Sequence, residues 1–144
     1  MELIMRIIDK LQAAIELAQG YRKEIVDFES LKDKTVLEVY STEDVIEILT
    51  DDGLYYLEHI QDCCEQVYVE SIVGDLQSLV GQTILLAEES TNSEGEPSNE
   101  WQDSFTWTFY KLATIKGYVD IRWYGTSNGY YSESVTCRKL TVGR

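Results

Sequence analysis

The stretch HIQDCCEQVYVESIVGD, residues 59–75, holds the chain's single histidine, two of its three cysteines and four carboxylates. Three kinds of chemistry use such residues. A structural zinc site wants four ligands, with paired cysteines two to four residues apart. Cys63 and Cys64 are adjacent, a poor geometry for a zinc pair or a structural disulfide. On a strand their side chains face opposite sides. His59, Asp62 and one cysteine give three ligands, with Cys137 as a distant fourth. A Cys–His pair can carry acyl transfer, but Glu58, Asp62, Glu65 and Glu70 crowd this one, and negative charge disfavours a thiolate. Carboxylate pairs can do acid–base work, yet nothing in the order of Asp51, Asp52, Asp62, Glu65, Glu70 and Asp75 sets one pair apart. Phosphate-loop, dinucleotide, nucleophile-elbow and HExxH patterns are missing. These residues therefore predict no metal, no cofactor and no enzyme. The stretch reads as a loop and a strand, with Val67, Val69 and Val73 inward and an acidic rim of Asp62, Glu65, Glu70 and Asp75.

A second cluster lies in IRWYGTSNGYYSESV, residues 121–135. Arg122, Trp123, Tyr124, Ser127, Asn128, Tyr130 and Tyr131 combine rigid aromatic area with adaptable polar groups, the composition of a binding surface. They could stack a base and hold a phosphate. Cross-strand aromatic pairing that pins a hairpin explains the same residues. Trp107, Phe109, Val119, Ile121 and Trp123 read as core.

The net charge is −14 and unevenly spread. Residues 1–33 carry seven acids and five bases; residues 34–100 carry sixteen acids and one base; residues 101–144 carry three acids and six bases. Between Lys34 and Lys111 there is no Lys or Arg at all. Direct nucleic-acid binding needs cations, so the middle of the chain should repel it. Such a field attracts basic surfaces, including those with which other proteins hold nucleic acid. A solvated surface that keeps the protein soluble is the plain alternative.

The elements follow from periodicity. Ile4, Ile7, Ile8, Leu11, Ile15 and Ala18 recur at helical spacing, predicting an amphipathic helix over 2–19, extended through YRKEIVDFES by Tyr21, Ile25 and Phe28. It would pack on a sheet or, alternatively, form a homodimer seam. From residue 35 the period becomes two, giving about eight strands with TDDG, KG and SNG turns. GDLQSLVG reads as one short helical turn, and residues 90–101 as a polar, mobile loop. The predicted class is α+β, mainly β: one domain over 1–144, a helical segment over 2–29 and a β-rich body over 30–144. That body is an antiparallel sandwich or partly open barrel. SLKDKTVLEVYSTED (30–44) also echoes SLVGQTILLAEESTN (78–92), which suggests two halves of similar design. No run approaches the ~18 apolar residues that span a bilayer, and the charged N-terminus is no signal peptide. With the cysteine usage, this places the chain in a reducing cytoplasm.

The blocks HxxDCCExVYVExIxGDL (59–76), AEE (87–89), WTFYK (107–111), ATIKG (113–117), IRWYG (121–125) and SNGYYSESV (127–135) occur in order. Together they resemble a small uncharacterised domain family carried by phages and by bacteria that host prophages. The resemblance spans about residues 30–136. It implies a genomic setting and no chemistry. A small acidic phage-type chain resembles, in general style, anti-CRISPR-like inhibitors that disarm host defences. The expected function is thus a non-enzymatic inhibitor. Its acidic face would occupy the basic surface of a host protein, a defence nuclease, partly mimicking phosphate. The alternative is a nucleotide-signal binder built on the aromatic hairpin.

Overall fold

The structure, a computed structural model, describes residues 21–93 and 104–142. Nine strands run in order: β1 (Tyr21–Ile25), β2 (Val36–Ser41), β3 (Val45–Thr50), β4 (Gly53–Glu58), β5 (Gln66–Val73), β6 (Leu86–Asn92), β7 (Ser104–Thr114), β8 (Gly117–Ser127) and β9 (Thr136–Val142). Two 3-10 turns, Phe28–Leu31 and Leu76–Leu79, precede β2 and β6. A five-stranded sheet has the order β1-β9-β4-β3-β2, and a four-stranded sheet the order β5-β8-β7-β6. Every pairing is antiparallel. One core lies between the sheets, with Ile46, Ile48, Tyr55 and Leu57 from one and Tyr110, Leu112, Ile121 and Trp123 from the other.

The α+β expectation is corrected. Among the described residues there is no α-helix, and the class is mainly β. The helix expected over 2–19, and any dimer seam through it, lies outside the described residues. Its expected extension, YRKEIVDFES, is instead β1 followed by a 3-10 turn. The spacing of Tyr21, Ile25 and Phe28 suggested one helical face, yet Ile25 is 70 % exposed while Phe28 is buried against Tyr110. The donors and acceptors on the outer edge of β9 require partners, and pairing with β1 supplies them over five residues. The loop expected over 90–101 begins as the end of β6 and otherwise falls largely outside the described residues.

The echo between residues 30–44 and 78–92 proves to be structural. Ser30 N–H and Oγ both donate to Asp27 O, at 3.0 and 2.6 Å; Ser78 does the same to Asp75 O at the same distances. Asp33 and Gly81 both take positive φ, 71° and 83°. Asp33 N–H donates to Ile84 O, and Gly81 N–H reciprocally to Val36 O, each at 2.7 Å. Thr35 and Thr83 meet as an isolated bridge with hydroxyls 3.2 Å apart. The likeness continues through the tight turns. Thr50 Oγ1 accepts from Asp52 N–H and Thr114 Oγ1 from Lys116 N–H, both at 3.1 Å, with Gly53 and Gly117 at φ 138° and 127°. Two units therefore face each other about a pseudo-twofold axis at Thr35 and Thr83. In each, a 3-10 turn leads into three strands, β2-β3-β4 in one and β6-β7-β8 in the other. The fourth strand of each sheet is exchanged: β5, which follows β4, pairs with β8, while β9, which follows β8, pairs with β4.

A bulge between Val69 and Ser71 changes the face along β5. Ile72 packs on the core and Val73 is 64 % exposed, so the expected inward Val73 points out. Of the expected core, Val119, Ile121 and Trp123 lie inside; Trp107 and Phe109 alternate to the outer face, half-buried. Trp123 is fully buried at the centre. Replacing it with alanine should lower stability by about 3–5 kcal/mol, read as a shift of the urea midpoint with an unchanged slope.

Candidate functional site

The two connections that carry the exchanged strands, residues 59–65 and 128–135, meet at one end of the sandwich. Each has a buried carboxylate two residues before a buried valine: Glu65 before Val67, and Glu133 before Val135. A carboxylate taken out of water needs donors. Glu65, 3 % exposed, receives N–H from Asp62 and Cys63 at 2.9 Å each, Gln61 Nε2 at 3.2 Å and His59 Nε2 at 2.6 Å. Burial raises its proton affinity, but the N–H groups of Cys63 and Asp62 and the His59 ring outweigh that and hold it at about 2. The other ring nitrogen of His59, Nδ1, lies 2.7 Å from the Ser134 carbonyl oxygen, so one imidazole joins both connections.

Glu133 is held by Thr106 Oγ1 at 2.8 Å and by the Ser127 hydroxyl. Gly125 makes this fit. A Cβ there would come within 2.9 Å of both Cβ and O of Glu133, and 3.2 Å from Val67. Between Ser127 and Glu133 the chain projects Tyr130, 83 % exposed, edge-on to Tyr131 with ring centroids 5.1 Å apart. Asn128 is exposed and its Oδ1 accepts from Tyr130 N–H at 3.0 Å, shaping the tip.

The expected acidic rim does not form as one patch. Glu65 is buried. Asp62 and Asp75, both exposed, lie beyond opposite ends of the eight-residue β5, roughly 25 Å apart at ~3.3 Å per residue. Asp75 caps a 3-10 turn, accepting from Gln77 N–H. Glu70 is paired with Arg122 at 2.8 Å, which with the Ser71 hydroxyl lowers its proton affinity. Sequence reasoning missed Glu43 and Asp44, in the turn between β2 and β3. They share an open groove of about 460 Å³ with Gln61, Glu65, Gln66, Val67 and Tyr68, and Glu43 lines a second hollow with Glu70. The signal was the turn itself, where Thr42 Oγ1 accepts from Asp44 N–H and leaves both acids exposed.

The aromatic cluster is also dispersed. Trp123 faces the core, whereas Tyr124 faces outward against Trp107 at 4.3 Å. The Arg122 guanidinium stands 5.2 Å from the Trp107 ring, already engaged by Glu70. Ser127 is buried, and Tyr130 and Tyr131 belong to the connecting loop. Strand alternation thus spreads these seven residues over two faces and a loop.

Among the described residues no group of three His, Cys, Asp or Glu could hold a metal ion. Cys63 and Cys64, judged from sequence unsuited to a structural disulfide, are joined as a vicinal disulfide. Cys137 is buried, which pushes its thiol up to about 12. No helix among the described residues is long and apolar enough to cross a membrane.

Glu65 sets an acid limit. Its carboxyl is depressed to about 2 from an ordinary 4.5, so its contribution is complete above 4.5 and is lost as pH falls toward 2. The gap in urea midpoint between wild type and Glu65→Gln should close as pH falls from about 5 toward 2. A gap independent of pH down to 2 would contradict this assignment.

Neither a curated protein nor a solved structure matches the chain. A family model does: it spans residues 29–137, which take in strands β2 to β8 and the first two residues of β9. The chain belongs to that family, the domain of unknown function DUF7448.

Proposed function

We propose that the protein acts without catalysis, by docking on the basic, nucleic-acid-binding surface of another protein. In the phage setting that the resemblance implies, the target is a defence nuclease of the host cytoplasm. The observation that carries this reading is the charge layout. Seventeen acids and no Lys or Arg stand between residues 35 and 110; three of the exposed ones, Glu43, Asp44 and Glu70, border the linked hollows beside β5, and Asp62 is exposed on the adjoining connection. The same end projects Tyr130. An acidic field steers a cationic partner, and an exposed tyrosine on an anchored loop supplies the apolar contact that charge alone does not. The pseudo-symmetry adds support. What repeats is scaffold: turns, glycines, core positions and the two buried glutamates. What differs between the exchanged connections is their tips, Asp62-Cys63-Cys64 in one and Tyr130-Tyr131 in the other, which suits them to recognition.

The test uses the tagged protein against a lysate of bacteria expressing defence nucleases, washed at low and high salt. A nucleic-acid-handling protein should be retained at low salt and released at high salt. The triple variant Asp44→Lys, Asp62→Lys, Glu70→Lys should weaken binding to the purified target by roughly a hundredfold or more. Unchanged affinity in the triple variant would sink the acidic-face reading.

A further inference from the structure

The His59 ring stands between two acceptors. Nε2 is 2.6 Å from a Glu65 carboxylate oxygen, and Nδ1 is 2.7 Å from the Ser134 carbonyl oxygen. Neither a carboxylate nor a carbonyl can donate, so both contacts exist together only when both ring nitrogens carry hydrogen. The two groups that the ring nitrogens meet are both acceptors, and the titratable side chains on the neighbouring elements are carboxylates, apart from the Lys23 and Arg138 that engage Glu58. Glu65 and Asp62 lie on its own connection. Glu133 neighbours Ser134 on the other, with its carboxylate tied to Thr106 of β7 and Ser127 of β8. Glu58 ends β4 but turns away to Lys23 at 3.4 Å and Arg138 at 3.7 Å. His59, its side chain 5 % exposed, forms an ion pair with Glu65 when its ring is protonated.

We infer that His59 is a proton-operated clip that fixes the two halves of the docking face, the acidic tip at Asp62 and the tyrosine tip at Tyr130, relative to each other. The direction of release follows from the acceptors. A ring that gives up one proton keeps the other toward the stronger acceptor, the buried carboxylate. Nδ1 then presents a lone pair to the Ser134 oxygen, and two acceptors at that distance repel. The arm that lets go is therefore Ser134, while Glu65 keeps the donors of its own connection. Glu133 continues to hold the tyrosine loop to β7 and β8, so the fold persists and only the link between the connections is lost. In this way the proton sets the shape of the face: closed while both ring nitrogens carry hydrogen, open once one has been given up. The use of the clip in recognition rests on the docking function proposed above; the clip itself does not.

The experiment reads the intact chain without any partner. Hydrogen exchange is followed by mass spectrometry at pH 6 and pH 9, with exposure times scaled for the intrinsic rate. Peptides covering 59–66 and 130–136 are compared with the core of β8, residues 119–123. In wild type, protection of the two connections should fall about tenfold from pH 6 to pH 9 while β8 is unchanged. His59→Gln, which offers one donor and does not titrate, should show the low protection at both pH values. Equal wild-type protection at the two pH values, or a pH response that survives in His59→Gln, would overturn the clip. Failure of the docking reading is seen separately, as partner affinity unchanged in Tyr130→Ala.

Discussion

Neither unit of this sandwich can finish its own sheet. The three strands β2-β3-β4 leave an open inner edge on β4, and β6-β7-β8 leave the same edge on β8. An unpaired strand edge at the centre of a domain is costly, because every backbone donor and acceptor there must be met. Exchange solves this twice over: β9 fills the first edge and β5 the second. The core follows from that arrangement. Val67 and Cys137 enter it from the exchanged strands, beside Tyr55 and Leu57 of one unit and Ile121 and Trp123 of the other.

The connections that carry the exchanged strands cross between sheets, and polar chemistry holds them. Glu65 and Glu133 occupy matching positions, each just before the strand it delivers. Each is buried and each is satisfied by its own local set of donors. A carboxylate in such a place fixes geometry more than it adds stability, because its desolvation offsets much of what its hydrogen bonds return. That is the arrangement expected where a crossing must have one path only. The site is then a by-product of the crossing: two anchored connections meet and expose unlike tips.

Much of this was legible in the sequence. The alternation from residue 35 and the Asp-Gly and Lys-Gly turns concern neighbours along the chain, where local rules apply. The repeat of SLKDKTV in SLVGQTI was visible too, although only the reciprocal bonds of Asp33 and Gly81 reveal it as an axis. The rest depended on partners distant in sequence. Tyr21, Ile25 and Phe28 mimic a helical face because the edge of β9, which recruits them as a strand, lies more than 110 residues away. Glu65 looked like one more surface acid because its burial depends on a turn that brings His59 back to it. Arg122 looked like an anion site because its pairing with Glu70 crosses from β8 to β5. The bulge in β5, which turns Val73 outward, has no local signature.

The exchange also bears on how the chain acquires its shape while it is being made. Strand β4 and the long β7–β8 hairpin can form from residues close in sequence, and β5 finds its place once β8 exists. The space between β1 and β4 stays vacant until residues 136–142 have been synthesised, since β9 alone bridges them. A nascent chain therefore carries one completed sheet and one divided sheet until β9 leaves the ribosome, and β1, among the first described residues to be made, is among the last of them to find a partner.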